Sequence, residues 1–148
     1  MDGRVLSANI QKSMQKNIME INEINLAKHY DKPCLGYIIV GDKPESKLYV
    51  RLKTLSCDKV GIEHQGIFLK EDATEQEVVN NVIKLSQDPK ISGILVQLPM
   101  PAHISPETVL SHIPPEKDVD GLHPFNIGSL ALKNHSPFFI SCTPLAVQ

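Results

Sequence analysis

Tryptophan is absent from this 148-residue chain, and aromatic residues make up only 5% of it. A chain so poor in flat side chains lacks the stacking platforms that grip single-stranded nucleic acids. Its net charge is −2 with no basic block, so the electrostatic footprint of nucleic-acid binding is missing as well. No apolar run approaches the length of a membrane span. The opening MDGRVLSANIQKSM has neither the apolar stretch of a signal peptide nor the arginine richness of a transit peptide. Cysteine is scarce: Cys34, Cys57 and Cys142 are odd in number and form no CxxC, which suits reduced thiols in a cytoplasmic compartment. The six histidines never fall at metal-ligand spacing. No GxGxxG, phosphate-loop lysine, GxSxG elbow or Cys/His dyad occurs. Zinc chemistry and a nucleotide cradle are therefore not expected.

What remains is an ordinary globular composition, 41% hydrophobic and 22% charged, at a length that supports one core. Ser7 to Tyr30 is helix-permissive, with Ile10, Met14, Ile18, Ile21 and Leu26 near helical spacing. Leu35 to Gly41 is a short apolar run that suits a buried parallel strand. A helix is expected from Asp42–Pro44 to Gly61, and a weaker strand over His64 to Leu69. Thr74 reads as an N-cap with Glu77 as its capping-box partner, opening a helix carried by Val78, Val79, Val82, Ile83 and Leu85. Ile91 to Pro99 is a third strand, Ser105 to His112 a short helix, and Pro114-Pro115 a rigid break. Strands separated by helices predict an α/β fold: a three-layer parallel sheet with helices on both faces.

The helix over 44–61 breaks its own pattern. At roughly 100° per residue, Lys47, Arg51, Thr54 and Asp58 share a solvated side. Leu48, Leu52 and Leu55 form an opposite stripe, expected to face the core. Tyr49, Val50, Cys57 and Val60 widen that arc, Lys53 lies within it, and Ser46 stands two turns before the lysine. Such a lysine either snorkels along apolar surface or sits in a cleft where desolvation lets it exchange protons near neutrality. Gln97 ends an otherwise apolar strand and either caps backbone nearby or meets an ammonium across the cleft. Asp118 and Asp120 alternate around Val119, so extended backbone would point both carboxylates one way. A turn or cap before Gly121, a substrate contact and Mg²⁺ are all compatible with that spacing. Asn126-Ile-Gly128 reads as a capping or turn segment.

VGDKPESKLYVRLKTLSCDKVGI, GILVQLPMP, KDVDGLHPFNIG and SCTP follow one another at intervals that carry a resemblance. Together they resemble the N-terminal catalytic domain of the bifunctional methylenetetrahydrofolate dehydrogenase/cyclohydrolase (FolD) family, over about Leu35 to Pro144. The resemblance implies that residues 1–148 are a folate-binding catalytic domain of an enzyme that interconverts methylene-, methenyl- and 10-formyl-tetrahydrofolate. By position it implies Lys53 as the proton-transfer group, Gln97 as the amide that bonds and tunes it, and Asp120 as the anchor of the pterin. Tyr49 would pack on the folate, and Ser46, Val50, Val96, Leu98, Pro99 and Gly121 would line the slot. The implied cofactor is NADP, the implied partners are tetrahydrofolates with no nucleic acid or membrane, and the family is typically homodimeric.

Some residues depart from that pattern. Lys43 and Glu45 flank Pro44 where an acid or amide and a small residue are usual, and Ala146 stands in for a glycine. The family's NADP-binding Rossmann domain finds no counterpart in this sequence. Dehydrogenase activity is therefore not expected from this chain alone, and an exposed apolar face is expected to favour self-association. Three other readings stay open: a folate-binding module without catalysis, a Schiff-base lysine enzyme, and an interaction domain.

Overall fold

The apolar run before Gly41 forms β1 (Cys34–Val40), which pairs in parallel with β2 (Glu63–Leu69) on one side and β3 (Gly93–Val96) on the other. The computed structural model describes residues 3–28 and 32–141, without the side chains of residues 4 and 25–28. Tyr30, Cys142, the rest of the SCTP motif after Ser141, Ala146 and the side chain of Leu26 lie outside the described residues.

Parallel neighbours need long crossovers. These are α2 (Pro44–Val60) between β1 and β2, and α3 (Glu75–Gln87) between β2 and β3. The remaining helices are α1 (Gly3–Lys28), α4 (Pro106–Leu110) and α5 (Pro124–Ala131). Side chains alternate along β1. Ile38 and Val40 join Ile94 and Val96 beneath Val78, Val82 and Leu85 of α3 and Val109 of α4. Tyr37 and Ile39 join Leu95 beneath Val50 of α2. The expected three-layer α/β architecture is present, with α1 packed on the outside of α2.

Local chemistry sets the helix ends. Pro44 opens α2, and Gly61 closes it in the left-handed region (φ 86°) with its N–H on the Cys57 carbonyl. Thr74 caps α3 by accepting the Glu77 N–H at 3.1 Å, which is one half of the expected capping box.

Four expectations are corrected. The buried face of α2 is Ser46, Val50, Cys57 and Val60, whereas Leu48, Leu52 and Leu55 are 55%, 52% and 45% exposed. The helix is apolar on both sides, and its smaller residues, not its leucines, approach the sheet. In α1 Ile18 is buried, but Ile10, Met14 and Ile21 are exposed, because the helix packs chiefly against α2 along one side. The third strand stops at Val96, where its pairing partner Ile38 stands two residues from the end of β1. Asn126-Ile-Gly128 lies inside α5, behind the Pro124 that starts it.

The two kinds of leucine should behave differently on truncation. Leu85→Ala, at a side chain only 1% exposed, is expected to cost about 2–5 kcal/mol. Leu52→Ala is expected to stay within about 0.5 kcal/mol of wild type. Urea unfolding at low protein concentration measures both, and equal losses would restore the leucine stripe to the core.

A candidate active site at the carboxyl edge of the sheet

In open parallel sheets ligands bind beyond the carboxyl ends of the strands. Gly41, at φ 83°, turns the chain from β1 towards α2 at that edge. Lys53 lies roughly 13 Å further down the helix than Pro44, at 1.5 Å per residue. It occupies the buried stripe, between Val50 and Cys57. Its side chain tilts towards the helix N-terminus, as helical side chains do, and so reaches back to the edge.

The facing carboxylate arrives on a strap laid beside β3. The Ile94 N–H donates to the Lys117 carbonyl at 2.6 Å, and Asp118 forms a parallel bridge with Ile94. Val119 lies against Gly93, where any Cβ would collide with its Cγ1. Lys117 donates its ammonium to the carbonyls of Ser86 and Asp88 at 3.0 and 3.2 Å, and so caps the end of α3. The strap runs parallel to β3, so Asp120 emerges at the same edge as Gln97. Gly121 then turns at φ 64°, where a Cβ would stand 2.6 Å from the Ser141 nitrogen.

Lys53 Nζ lies 3.8 Å from Asp120 Oδ2, with the side chains 40% and 34% exposed. That separation is an ion pair without a hydrogen bond of normal length. At such exposure a pair contributes about 0–1 kcal/mol. Burial pushes the Asp120 carboxyl above its ordinary value; the Lys53 ammonium opposes the shift and the Asp118 charge adds to it.

The expected Gln97–Lys53 bond is not formed. The Gln97 backbone N–H extends the ladder to the Ile38 carbonyl at 2.9 Å, while Nε2 donates to the neighbouring Leu98 carbonyl at 2.6 Å. The amide has turned to the nearest backbone acceptor, the local capping that its position at a strand end allowed. Its Oε1 is buried with no partner among the described residues, a condition that costs about 1–3 kcal/mol. Lys53 is thus half-exposed beside a carboxylate, and not held dry between a phenol and an amide.

The other expected slot residues divide. Ser46 and Val50 are buried on the sheet side of α2, and Gly121 is buried beside Asp120. Tyr49 is 60% exposed, and Pro99 is exposed too. Val96 and Leu98 belong to the core on the α3 side, because strand alternation turns Val96 away from α2. Nor do the two aspartates act together. Asp118 turns inward and accepts the His123 N–H and Asn126 Nδ2 at 2.8 Å each. That is the turn-or-cap role, and it leaves Asp120 to face Lys53. Nothing in the sequence pattern marks Asn126 as a buried polar centre beyond its being an amide two residues after the Pro124 that starts α5.

A carboxyl that binds its proton more tightly when folded contributes stability that is complete below its ordinary 3.8 and is lost as pH rises through the raised value. Asp120→Asn removes that loss. The variant should melt above wild type near neutrality and coincide with it below pH 3.8. Thermal melts across pH give the answer, and a constant offset would contradict the raised carboxyl.

Comparison with known proteins bears on this arrangement. The family model described as tetrahydrofolate dehydrogenase/cyclohydrolase, catalytic domain, matches residues 1–120. The bifunctional protein FolD of Acetivibrio thermocellus is 42% identical over 148 residues, all of this chain and 51% of the relative. A FolD of Arabidopsis thaliana named chloroplastic is 47% identical over 112 residues, 76% of this chain and 31% of the relative. The crystal structure of FolD from Campylobacter jejuni superposes with a TM-score of 0.88 at 37% identity, covering 99% of this chain and 50% of that one. The Trypanosoma brucei enzyme, crystallised with NADP and an inhibitor, gives 0.89 at 33% identity, covering 99% and 48%. The chain spans about half the length of most of the curated relatives it matches. With its sheet superposing on solved FolD structures and the family model matching residues 1–120, the chain belongs to the tetrahydrofolate dehydrogenase/cyclohydrolase family, through that family's catalytic domain.

Proposed function

We propose that this chain carries the folate site of an enzyme that interconverts methylene-, methenyl- and 10-formyl-tetrahydrofolate, with Lys53 moving the proton in the hydrolytic step. The observation that carries the reading is Lys53 Nζ in the buried stripe of α2, 3.8 Å from Asp120 at the sheet's carboxyl edge. Water adds to the cationic methenyl carbon, and the ring C–N bond then opens to the formyl product. Both stages need a proton moved near neutral pH, the task of a positioned general acid–base. Asp120 suits the amino-pyrimidinone edge of the pterin, two N–H donors that a carboxylate accepts in a charge-assisted pair. A substrate taking Asp120 in this way releases Lys53 from its ion pair. Gln97 Oε1, unpartnered among the described residues, offers an acceptor for the lysine or the ligand. Tyr49, exposed on the neighbouring arc of α2, supplies a ring for the folate.

NADP is the cofactor implied for the oxidative step, and the described residues do not fit it. The turn after β1 is Gly41-Asp42-Lys43-Pro44, where Pro44 lacks an N–H and Asp42 is acidic. Glu71 also stands 3.6 Å from where a Gly41 Cβ would be. A pyrophosphate wants backbone donors and no carboxylates. No hydride step is therefore assigned to these residues.

We further place the chain in the cytoplasm and expect it to self-associate. No helix among the described residues is long and apolar enough to cross a membrane. The exposed Leu48, Leu52 and Leu55 form a ridge suited to a partner surface.

Two measurements follow. Lys53→Met should lower methenyl-tetrahydrofolate hydrolysis by about 10²-fold or more while leaving tetrahydrofolate binding detectable by calorimetry. A wild-type rate no faster than buffer would remove the enzymatic reading and leave a binding module. Sedimentation of wild type should show association as concentration rises, weakened by Leu52→Glu; a monomer throughout would exclude self-association by the ridge.

A further inference from the structure

We propose that Asp118 and Asn126 are positioning residues of this site, their buried pair setting where Asp120 stands relative to Lys53. The inference rests on the reading of Lys53 and Asp120 as the reacting edge.

Asn126 is 0% exposed and Asp118 1% exposed. A carboxylate so deep in protein is tolerable only when N–H donors replace its water. Asp118 Oδ2 receives two, from the His123 backbone and Asn126 Nδ2. Asn126 then uses both ends of its amide. Nδ2 also donates to the Pro115 carbonyl at 3.0 Å, and Oδ1 accepts the Phe138 N–H at 3.0 Å. One side chain thereby ties the entry to the strap, the strap itself and the segment that passes behind Gly121. The Gly121 N–H closes the turn on the Asp118 carbonyl at 3.1 Å. Asp120 is consequently held between two anchored residues.

A purely stabilising role explains these contacts less well. Apolar side chains of similar volume often stabilise a core as much as a buried polar pair or more. What an amide adds is direction: its donors and acceptor admit only one arrangement of the three segments. That arrangement fixes a carboxylate whose charged neighbours are Lys53, from α2, and Asp118, on its own strap.

The test compares Asn126→Ala with Asp118→Asn in the full 148-residue chain. The remaining oxygen of Asp118→Asn can accept both N–H bonds, so this variant preserves the geometry without the charge. Asn126→Ala should lower kcat for methenyl-tetrahydrofolate hydrolysis on the order of 10- to 100-fold and raise KM, whereas Asp118→Asn should keep most of kcat. Carbon-13 titration of the Asp120 carboxyl reads the same geometry without turnover: in Asn126→Ala its midpoint should fall towards the ordinary range as burial is lost. Should Asn126→Ala fail to fold, Asn126→Ser, which leaves a smaller cavity and a hydroxyl, carries the same measurements. A folded variant with wild-type kcat, KM and Asp120 midpoint would overturn the proposal, as would Asp118→Asn losing as much as Asn126→Ala. Absence of hydrolysis by wild type would sink the assigned reaction alone, since the carboxyl titration still decides the positioning.

Discussion

The parallel pairing of β1 with both neighbours is the constraint from which the site follows. A parallel strand hydrogen-bonded on both sides and covered on both faces must be apolar throughout, and the run Tyr37 to Val40 is buried without exception. Each connection must then climb back over a face. All strands therefore end at one edge, and the chain has no choice about where its turns collect. Gly41, Gln97 and Asp120 meet there although they are far apart in sequence. Lys53 reaches Asp120 from the middle of a helix, its side chain leaning towards the N-terminus as helical side chains do.

Two carboxylates separated by a single residue occupy opposite environments. Asp118 is dry and met by neutral N–H donors, whereas Asp120 keeps a third of its surface and meets an ammonium. Different surroundings for like groups are how one scaffold gives the same side chain a structural place and an open one. The ion pair at the edge is too exposed to hold the fold together. Its value lies in being open to exchange, since a ligand that engages the carboxylate alters the field at the lysine.

Much of this was legible in the sequence. The alternation of strands and helices, the Thr74 cap, the Gly61 stop and the oddity of Lys53 within an apolar arc all depend on near neighbours. Local patterns report those well. The orientation of α2 is not legible locally, because a helix with two apolar sides gives the wheel no unique inward direction; the closeness of Val50 to the sheet decides it, and that is a tertiary fact. Of the two partners the sequence allows Gln97, the nearby backbone is the one it takes, since a carbonyl one residue away competes with an ammonium across a cleft. The sequence marks Asn126 only as part of a capping or turn segment. Its importance comes from segments around residues 115, 118 and 138, which no periodicity connects.

The notch that Gly93 leaves at the start of β3, filled by Val119, has a consequence for lengthwise slippage. Because an aspartate stands on either side of Val119, sliding the strap by one residue would put a carboxylate in the notch. The valine therefore serves as a dowel, and a methyl-sized fit at the far end of the strand keeps either acid from sliding into its place.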